Sequence, residues 1–406
     1  MPGPARRPGK AEPPAYRAAM TTLASLLANV SLVPSPTPSL SPPPGQSTGS
    51  GSPLWAVLLV GLGGGLLGGA GAFAGAWRSS RSLRQNTEKT LEHERNRLLN
   101  ERFNTAAELL GHQEAACRLA GVHAMAGLAD DWTERRQTCI DVLCAYLRMP
   151  YLPQPDDDAP AEQHLSWRAN REVRLTVIRI IRDRQQATPA RSTTSWDGHD
   201  YDFTGAVFDG GDFSQTRFTG AVDFSFTAFT GGFVDFSHAQ FTGDTVNFHG
   251  AKFTGSTVTF RRAKFTAAMV DFFGTNFTGG IVDFSHARFA IGDMVSFYAA
   301  TFDGGEVTFL DTNFTGGTVT FADVSFTRGT VFLGAKFTGS LMDFSRAKFT
   351  GSLVDFRSAE FIGGLVDLRA VGSWAKPPTF DEEVLLHPPN CLRLPARGAG
   401  EGPAAG

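Results

Sequence analysis

The sequence predicts an all-β solenoid, a parallel β-helix of short repeats, preceded by a transmembrane helix and a small α-helical repeat segment. Three observations carry this. Phenylalanine recurs on a ruler from Phe203 onward, at Phe208, Phe213, Phe218, Phe224, Phe229, Phe236 and Phe241, with leucine closing the series at Leu368. Leu54 to Trp77 runs without a charged residue. Between the two, apolar residues fall at the three-and-four spacing of helices.

The ruler fixes the solenoid. After a first run spaced by five, the intervals alternate between five and seven, so Val234-Asp-Phe-Ser-His-Ala-Gln-Phe-Thr-Gly-Asp-Thr is followed by Val246-Asn-Phe-His-Gly-Ala-Lys-Phe-Thr-Gly-Ser-Thr. Self-similarity at a short fixed period is the mark of stacked repeats rather than of a globular enzyme. Two residues before each Phe stands a small or β-branched residue, Val222, Val234, Val246 and Val258 before the seven-spaced centres and Ala239, Ala251 and Ala263 before the five-spaced ones. Side chains two apart on a strand share a face, and the residue between them is mostly polar, so one face is buried and the other wet. Thr-Gly pairs such as Thr242-Gly243 and Thr254-Gly255 mark turns. Coils stacked at ~4.8 Å would set each ring above the ring of the coil below.

Asp202-Phe-Thr-Gly-Ala and Asp343-Phe-Ser-Arg-Ala resemble the pentapeptide-repeat family in a Phe-rich form. The resemblance implies a right-handed parallel β-helix of four-sided coils over 196–370. The two-residue insertion at every other centre argues for coils nearer 24 residues than the family's usual 20.

Residues 54–77, LWAVLLVGLGGGLLGGAGAFAGAW, would span ~36 Å as a helix, enough for a bilayer core of ~30 Å. Lipid forces backbone groups to pair internally, which offsets the helix-weakening glycines. Trp55 and Trp77 stand where interfacial aromatics belong. Gly61 and Gly65, Gly64 and Gly68, and Gly71 and Gly75 have the small-xxx-small spacing that permits helix contact and a homo-oligomer, although a Gly-rich span also holds such spacings by composition alone. Arg78, Arg81 and Arg84 follow the span and Ala18 to Pro53 carries no charge, so the positive-inside rule places the C-terminal domain in the cytoplasm of a single-pass cell-membrane protein. Residues 1–53 read as a disordered Pro/Ser-rich tail, in which Ala18–Val33 after Arg6, Arg7, Lys10 and Arg17 has the form of a signal-peptide core without a clear cleavage site.

Residues 78–195 read as a helical stalk and adaptor. Ser80–Arg102 is charged with Leu91, Leu98 and Leu99 as its apolar points, and Phe103–Leu110, Ala115–Ala129, Arg135–Leu147 and Asn170–Arg184 have helical periodicity. Pro150, Pro153, Pro155 and Asp156–Asp158 form a loop. Glu108-Leu-Leu-Gly, Arg118-Leu-Ala-Gly-Val-His-Ala-Met-Ala-Gly and Cys139-Ile-Asp-Val-Leu-Cys resemble the helical segment found before the repeats in membrane-tethered bacterial pentapeptide proteins. Residues 371–406 read as a C-terminal cap and disordered tail.

Composition narrows function. A net charge of −3 and a pI near 6.3 leave no basic footprint for nucleic acid. From Asp200 to Val371, 18 acidic residues face 12 basic ones, a mild excess. Cys117, Cys139, Cys144 and Cys391 read as reduced, packed thiols, because the 139/144 spacing fits neither a zinc nor a redox pair. His238 and His286 occupy the same repeat position with no acid, nucleophile or metal cluster beside them. The recurring Asp223, Asp235, Asp271, Asp283, Asp343, Asp355 and Asp367 lack the convergent oxygens of a calcium site and read as a solvated strand face. Thr242, Thr254, Thr266 and Thr278 read as turn hydrogen-bonders rather than an ice-binding array. Asn276-Phe-Thr and Asn313-Phe-Thr match a glycosylation pattern by chance, inside the solenoid.

No residue is therefore expected to be catalytic, cofactor-binding or metal-binding, and the chain is expected not to be an enzyme. The expected function is a membrane-anchored cytoplasmic scaffold, bound to the lipid bilayer through 54–77, with the β-helix as a rod for an unidentified protein partner. The alternative is a DNA-mimic regulator of a topoisomerase or other nucleic-acid enzyme. Mild acidity, with Lys252, Arg261, Arg262, Lys264, Arg288, Lys336 and Lys348 mixed among the acids, counts against it.

Overall fold

The computed structural model describes residues 65–186, 194–267, 269–290 and 294–395. The chain divides between Asn104 and Thr105 into two units. The expected tail 1–53 and residues 54–64 of the expected span lie outside the described residues, while residues 65–77 open helix α1, Gly65–Leu110. Among the described residues, no helix is long and apolar enough to cross a membrane. Helix α1 runs unbroken where the sequence suggested a stalk and then a separate Phe103–Leu110 helix. Gly111 ends it, its N–H bonded to the Ala107 carbonyl at 3.1 Å.

Helices α2 (Ala115–Asp131), α3 (Arg136–Arg148) and α4 (Ala161–Gln185) bury Val122, Met125, Leu128, Ile140, Leu143, Val177 and Ile181 against one another. Helix α4 begins nine residues before the expected Asn170. Its first turns carry little apolar period, since Leu165 is exposed; Pro160 at the N-cap and Glu162 in the first turn mark its start instead.

From Tyr201 the chain winds into a parallel solenoid of about eight turns. Each coil contributes four short strands, one to each of four faces. The first face stacks nine strands from Tyr201–Asp202 to Leu392–Arg393, and the fourth stacks seven from Arg217–Phe218 to Glu360–Ile362. The second and third faces join into one sheet, because Thr301–Thr308 and Ser325–Phe332 run round the corner between them as continuous strands. Thr245 pairs with Met269, so one coil takes 24 residues there, as the five-and-seven alternation predicts. The first coil is shorter, with Tyr201 opposite Val222, because its centres Phe203, Phe208, Phe213 and Phe218 are five apart and Phe224 follows after six.

Inside, every Phe stacks on its equivalent one whole coil away. Phe260 lies 4.9 Å from Phe236 and 4.8 Å from Phe284, with rings within 5° of parallel, while Phe248 meets it edge-on at 5.8 Å. These centroid spacings equal the strand spacing of ~4.8 Å, so the ladder and the sheet ladders share one pitch. Leu333 and Leu368 replace Phe in two columns and are equally buried. The Thr residues after Phe do form hydrogen bonds, but upward through the stack: Thr242 and Thr254 donate at 3.3 Å to the carbonyls of Phe218 and Phe229 in the preceding coil.

Both ends are covered. Helix α3 packs on Tyr201–Asp202 and α4 on Gly211–Asp212. Arg148 pairs with Asp202 and Arg182 with Asp212, while Arg171 and Tyr151 both reach Asp209, at 3.2 and 2.7 Å. Burial lowers the pKa of the Arg174 guanidinium, which donates at 2.6 Å to the Val207 carbonyl and lies 4.4 Å over the Tyr151 ring. At the other end Phe380 stacks on Phe356 at 4.8 Å and Leu392 pairs with Val366, so pairing runs on past residue 370.

Candidate interaction surface

The four corners of a coil are of two kinds. Short corners follow the Val-x-Phe strands of the first and third faces, and long Thr-Gly corners follow the second and fourth. At the short corners the residue two after Phe takes a left-handed φ even where it is not glycine: Gln215, Phe226, His238, Arg262, His286, Ala299, Asp311, Asp323, Arg346 and Ser358 all lie between 53° and 64°. Each such residue costs ~1–2 kcal/mol. The polar residue before Phe offsets that. Asp223 Oδ1 accepts the Ser225 N–H at 2.7 Å, and the same bond recurs from Ser237 to Asp235, Phe273 to Asp271, Ser285 to Asp283, Ser345 to Asp343, Arg357 to Asp355 and Arg369 to Asp367. The recurring aspartates are thus half-buried or buried turn caps, which corrects their reading as a freely solvated face.

Turn capping leaves the corner side chains outside. Along the first short corner four of them stack: Phe226 meets His249 edge-on at 5.2 Å, His249 lies 4.8 Å from Phe273 at 5°, and Phe273 lies 5.4 Å from Tyr298 at 13°. Phe226 is 59% exposed and Phe273 38%. A second aromatic ladder therefore runs on the outside, parallel to the buried one. It ends on charge. Tyr298 hydrogen-bonds Asp323, whose carboxylate takes the Arg346 guanidinium with both oxygens at 2.8 and 2.5 Å. These bonds, Arg346 first, hold the Asp323 carboxyl down at about 2.

The same geometry sorts charge. Caps are needed only beside short corners, so the outward positions of the first and third faces carry Asp223, Asp271, Asp343 and Asp235, Asp283, Asp355. The second and fourth carry Lys252 and Lys348, and Arg217, Lys264 and Arg288. The basic and acidic residues are thus partly sorted by face within the expected mixture, since Glu360 stands opposite Lys336 on the fourth face. Arg261 and Arg262 sit at a short corner, Arg261 3.9 Å from Asp283.

His238 and His286 project from one corner column, separated by Arg262; His286 Nδ1 lies 3.7 Å from Asp311. Among the described residues, no group of three or more His, Cys, Asp or Glu could hold a metal ion. Cys139 and Cys144 are buried free thiols, and burial pushes the Cys139 thiol up to about 12. Asn276 and Asn313 lie on strands, each followed by a fully buried Phe.

A family model described as pentapeptide repeats matches, in eight copies, at residues 202–232. That stretch contains the run of centres spaced by five, before the seven-residue interval is established, which accounts for the local extent of the match. Together with the parallel solenoid, it supports the pentapeptide-repeat family for this chain. Comparison with curated proteins and with solved structures gave no significant match.

Proposed function

We propose that this chain is a membrane-anchored, non-enzymatic scaffold of the Phe-rich, membrane-tethered bacterial kind, whose solenoid docks a protein partner. The observation that carries the docking role is the external ladder Phe226, His249, Phe273 and Tyr298. Aromatic rings gain by leaving water, and folding has left these at the surface, stacked over four coils. Tyr298 and the Asp323–Arg346 pair add an oriented polar edge, which suits a protein interface with an aromatic centre and a charged rim. The interior supports the same reading, since stacked rings fill each coil. The anchoring part rests on the apolar stretch 54–77 and its flanking arginines, with the solenoid in the cytoplasm.

Two experiments test the parts separately. Extraction of the full chain from native membranes with alkaline carbonate checks the anchor; release into the supernatant would refute it, and a chain lacking residues 1–77 should be released. For docking, a photocrosslinking residue at position 273 should capture one discrete partner. Phe226→Ala with Tyr298→Ala should abolish that adduct in a chain that remains folded, as its circular dichroism at the assay temperature checks. An undiminished adduct would sink the role of the ladder.

A further inference from the structure

The fourth face is a second, chemically different surface. Its outward strand positions read Arg217, Gln240, Lys264, Arg288 and Asn313 in adjacent registers, so Lys264 and Arg288 stand directly opposite each other on neighbouring strands. Like charges so placed oppose sheet pairing. Arg262 projects from the corner leading into the same face. Among the described residues Arg217, Arg262, Lys264 and Arg288 have neither an ion pair nor a side-chain hydrogen bond. Further along, Arg328, Lys336, Arg346, Arg357 and Arg369 each hold a carboxylate within 2.7 Å. On the fourth face itself Glu360 neutralises the later Lys336, whereas the earlier Arg217, Lys264 and Arg288 have no such partner among the described residues; the unpaired Lys252 and Lys348 of the second face stand singly, and only the fourth face gathers its unpaired cations in neighbouring coils. Folding gains nothing from that arrangement, so its use lies in an anion outside the chain.

We propose that the fourth face, between Arg217 and Arg288, lies against an anionic phospholipid surface. The face is a sheet rather than a cleft, so its basic groups share one surface and suit a plane of headgroups. Its outward strand positions carry no aromatic ring on which a nucleic-acid base could stack. A few basic residues bind an anionic leaflet weakly and need a second attachment, and the proposal rests on the anchored reading for that attachment. An anchored solenoid pays little translational entropy to lie down, so a weak patch is enough to orient it. With the fourth face against lipid, the ladder at the opposite short corner stays open to a partner.

Lysine footprinting tests this within one molecule, because Lys264 is on the fourth face whereas Lys252 and Lys348 are on the second. The full chain is placed in nanodiscs of phosphatidylcholine, or of phosphatidylcholine mixed with phosphatidylglycerol, and acetylated with an amine-reactive reagent before mass spectrometry. In the anionic discs the labelling of Lys264 relative to Lys252 should fall severalfold, and it should recover in high salt. Arg217→Gln with Arg288→Gln, which keeps Lys264 as reporter without giving it a carboxylate partner, should cut the protection severalfold in a chain that melts no lower than the wild type. Equal labelling of the two lysines in anionic discs, or equal protection in neutral ones, would overturn the proposal. So would protection by duplex DNA or by an acidic protein at concentrations where phosphatidylglycerol vesicles give none. Failure of the anchor shows separately, as a chain that does not enter neutral discs. Lys264 protection is then read on the free chain with added phosphatidylglycerol vesicles.

Discussion

The ring of Phe226 occupies the space that a Cβ on Gly250 would need: its Cδ1 and Cε1 lie 2.8 Å from that position. One coil's exposed aromatic thus rests on the bare backbone of the next. Gly250 also has a left-handed φ of 63°, so it serves both corner and ladder.

Gly250→Ala should destabilise the solenoid by more than Gly274→Ala. Gly274 has nearly the same φ, 60°, but nothing within 4 Å of its Cβ position. The second substitution costs the dihedral alone, ~1–2 kcal/mol; the first adds displacement of the ring. Chemical denaturation of the two variants checks this, and Phe226→Ala in the Gly250→Ala background should bring the two costs together. Equal costs without that second change would show that the ring moves freely.

The Asp323–Arg346 pair predicts an acid-dependent contribution. Arg346 and Tyr298 hold the Asp323 carboxyl at about 2 against its ordinary 3.8. A folded-state value below the unfolded one means that the contribution is whole above the unfolded pKa and is lost as pH falls through about 2. The gap in thermal midpoint between the wild type and Arg346→Met should therefore stay constant from neutrality to about pH 4 and then close. Carboxyl NMR reads the same event directly, with the Asp323 midpoint returning toward its ordinary value in Arg346→Met. A gap that persists unchanged below pH 2 would assign the effect to the arginine's packing instead.

Some of this was legible in the chain and some was not, for physical reasons. The buried columns were, because an inward position tolerates so few residue types that Phe, Val and Ala recur visibly. Coil length was legible too, since the five-and-seven intervals sum to half a coil. The external ladder was not. Phe226, His249 and Phe273 share no residue type at one repeat position, and Phe226 stands one place further along its corner than the other two. The capping role of the aspartates was hidden because it depends on the left-handed residue beyond Phe, a backbone property that Gln215, His238 and Arg262 do not advertise. The partial sorting of charge was present as Val-Asp-Phe against Ala-Lys-Phe, but it becomes a surface only when repeats are sorted by face. The start of helix α4 escaped because Leu165 points to solvent.

Burial predicts that Cys139 and Cys144 are inert in the native protein. Both side chains lie inside the helical segment, and desolvation pushes the Cys139 thiol to about 12, so almost no thiolate exists at pH 8. Iodoacetamide should modify the partly exposed Cys117 and Cys391 first, reaching the buried pair only in denaturant. Native modification of Cys139 on the same timescale as Cys391 would mean that the helical segment opens.

The strongest prediction concerns the internal ladder, because there a single ring is held from two sides. Phe260 is fully buried between Phe236 and Phe284, with Phe248 against its edge. Phe260→Leu keeps an apolar group that the columns already accept at Leu333 and Leu368. It should lose chiefly the stacking, ~0.5–1.5 kcal/mol for each of the two pairs. Phe260→Ala adds a cavity that coils locked in register cannot collapse, so ~3–5 kcal/mol is expected. Phe260→Asp places a carboxylate among rings with no donor to meet it, and it should cost more than alanine. Denaturant midpoints should fall in the order wild type, Leu, Ala, Asp. If Asp proved as stable as Leu, the side chain would have to be turning outward, and the inward assignment of the entire column would fail with it.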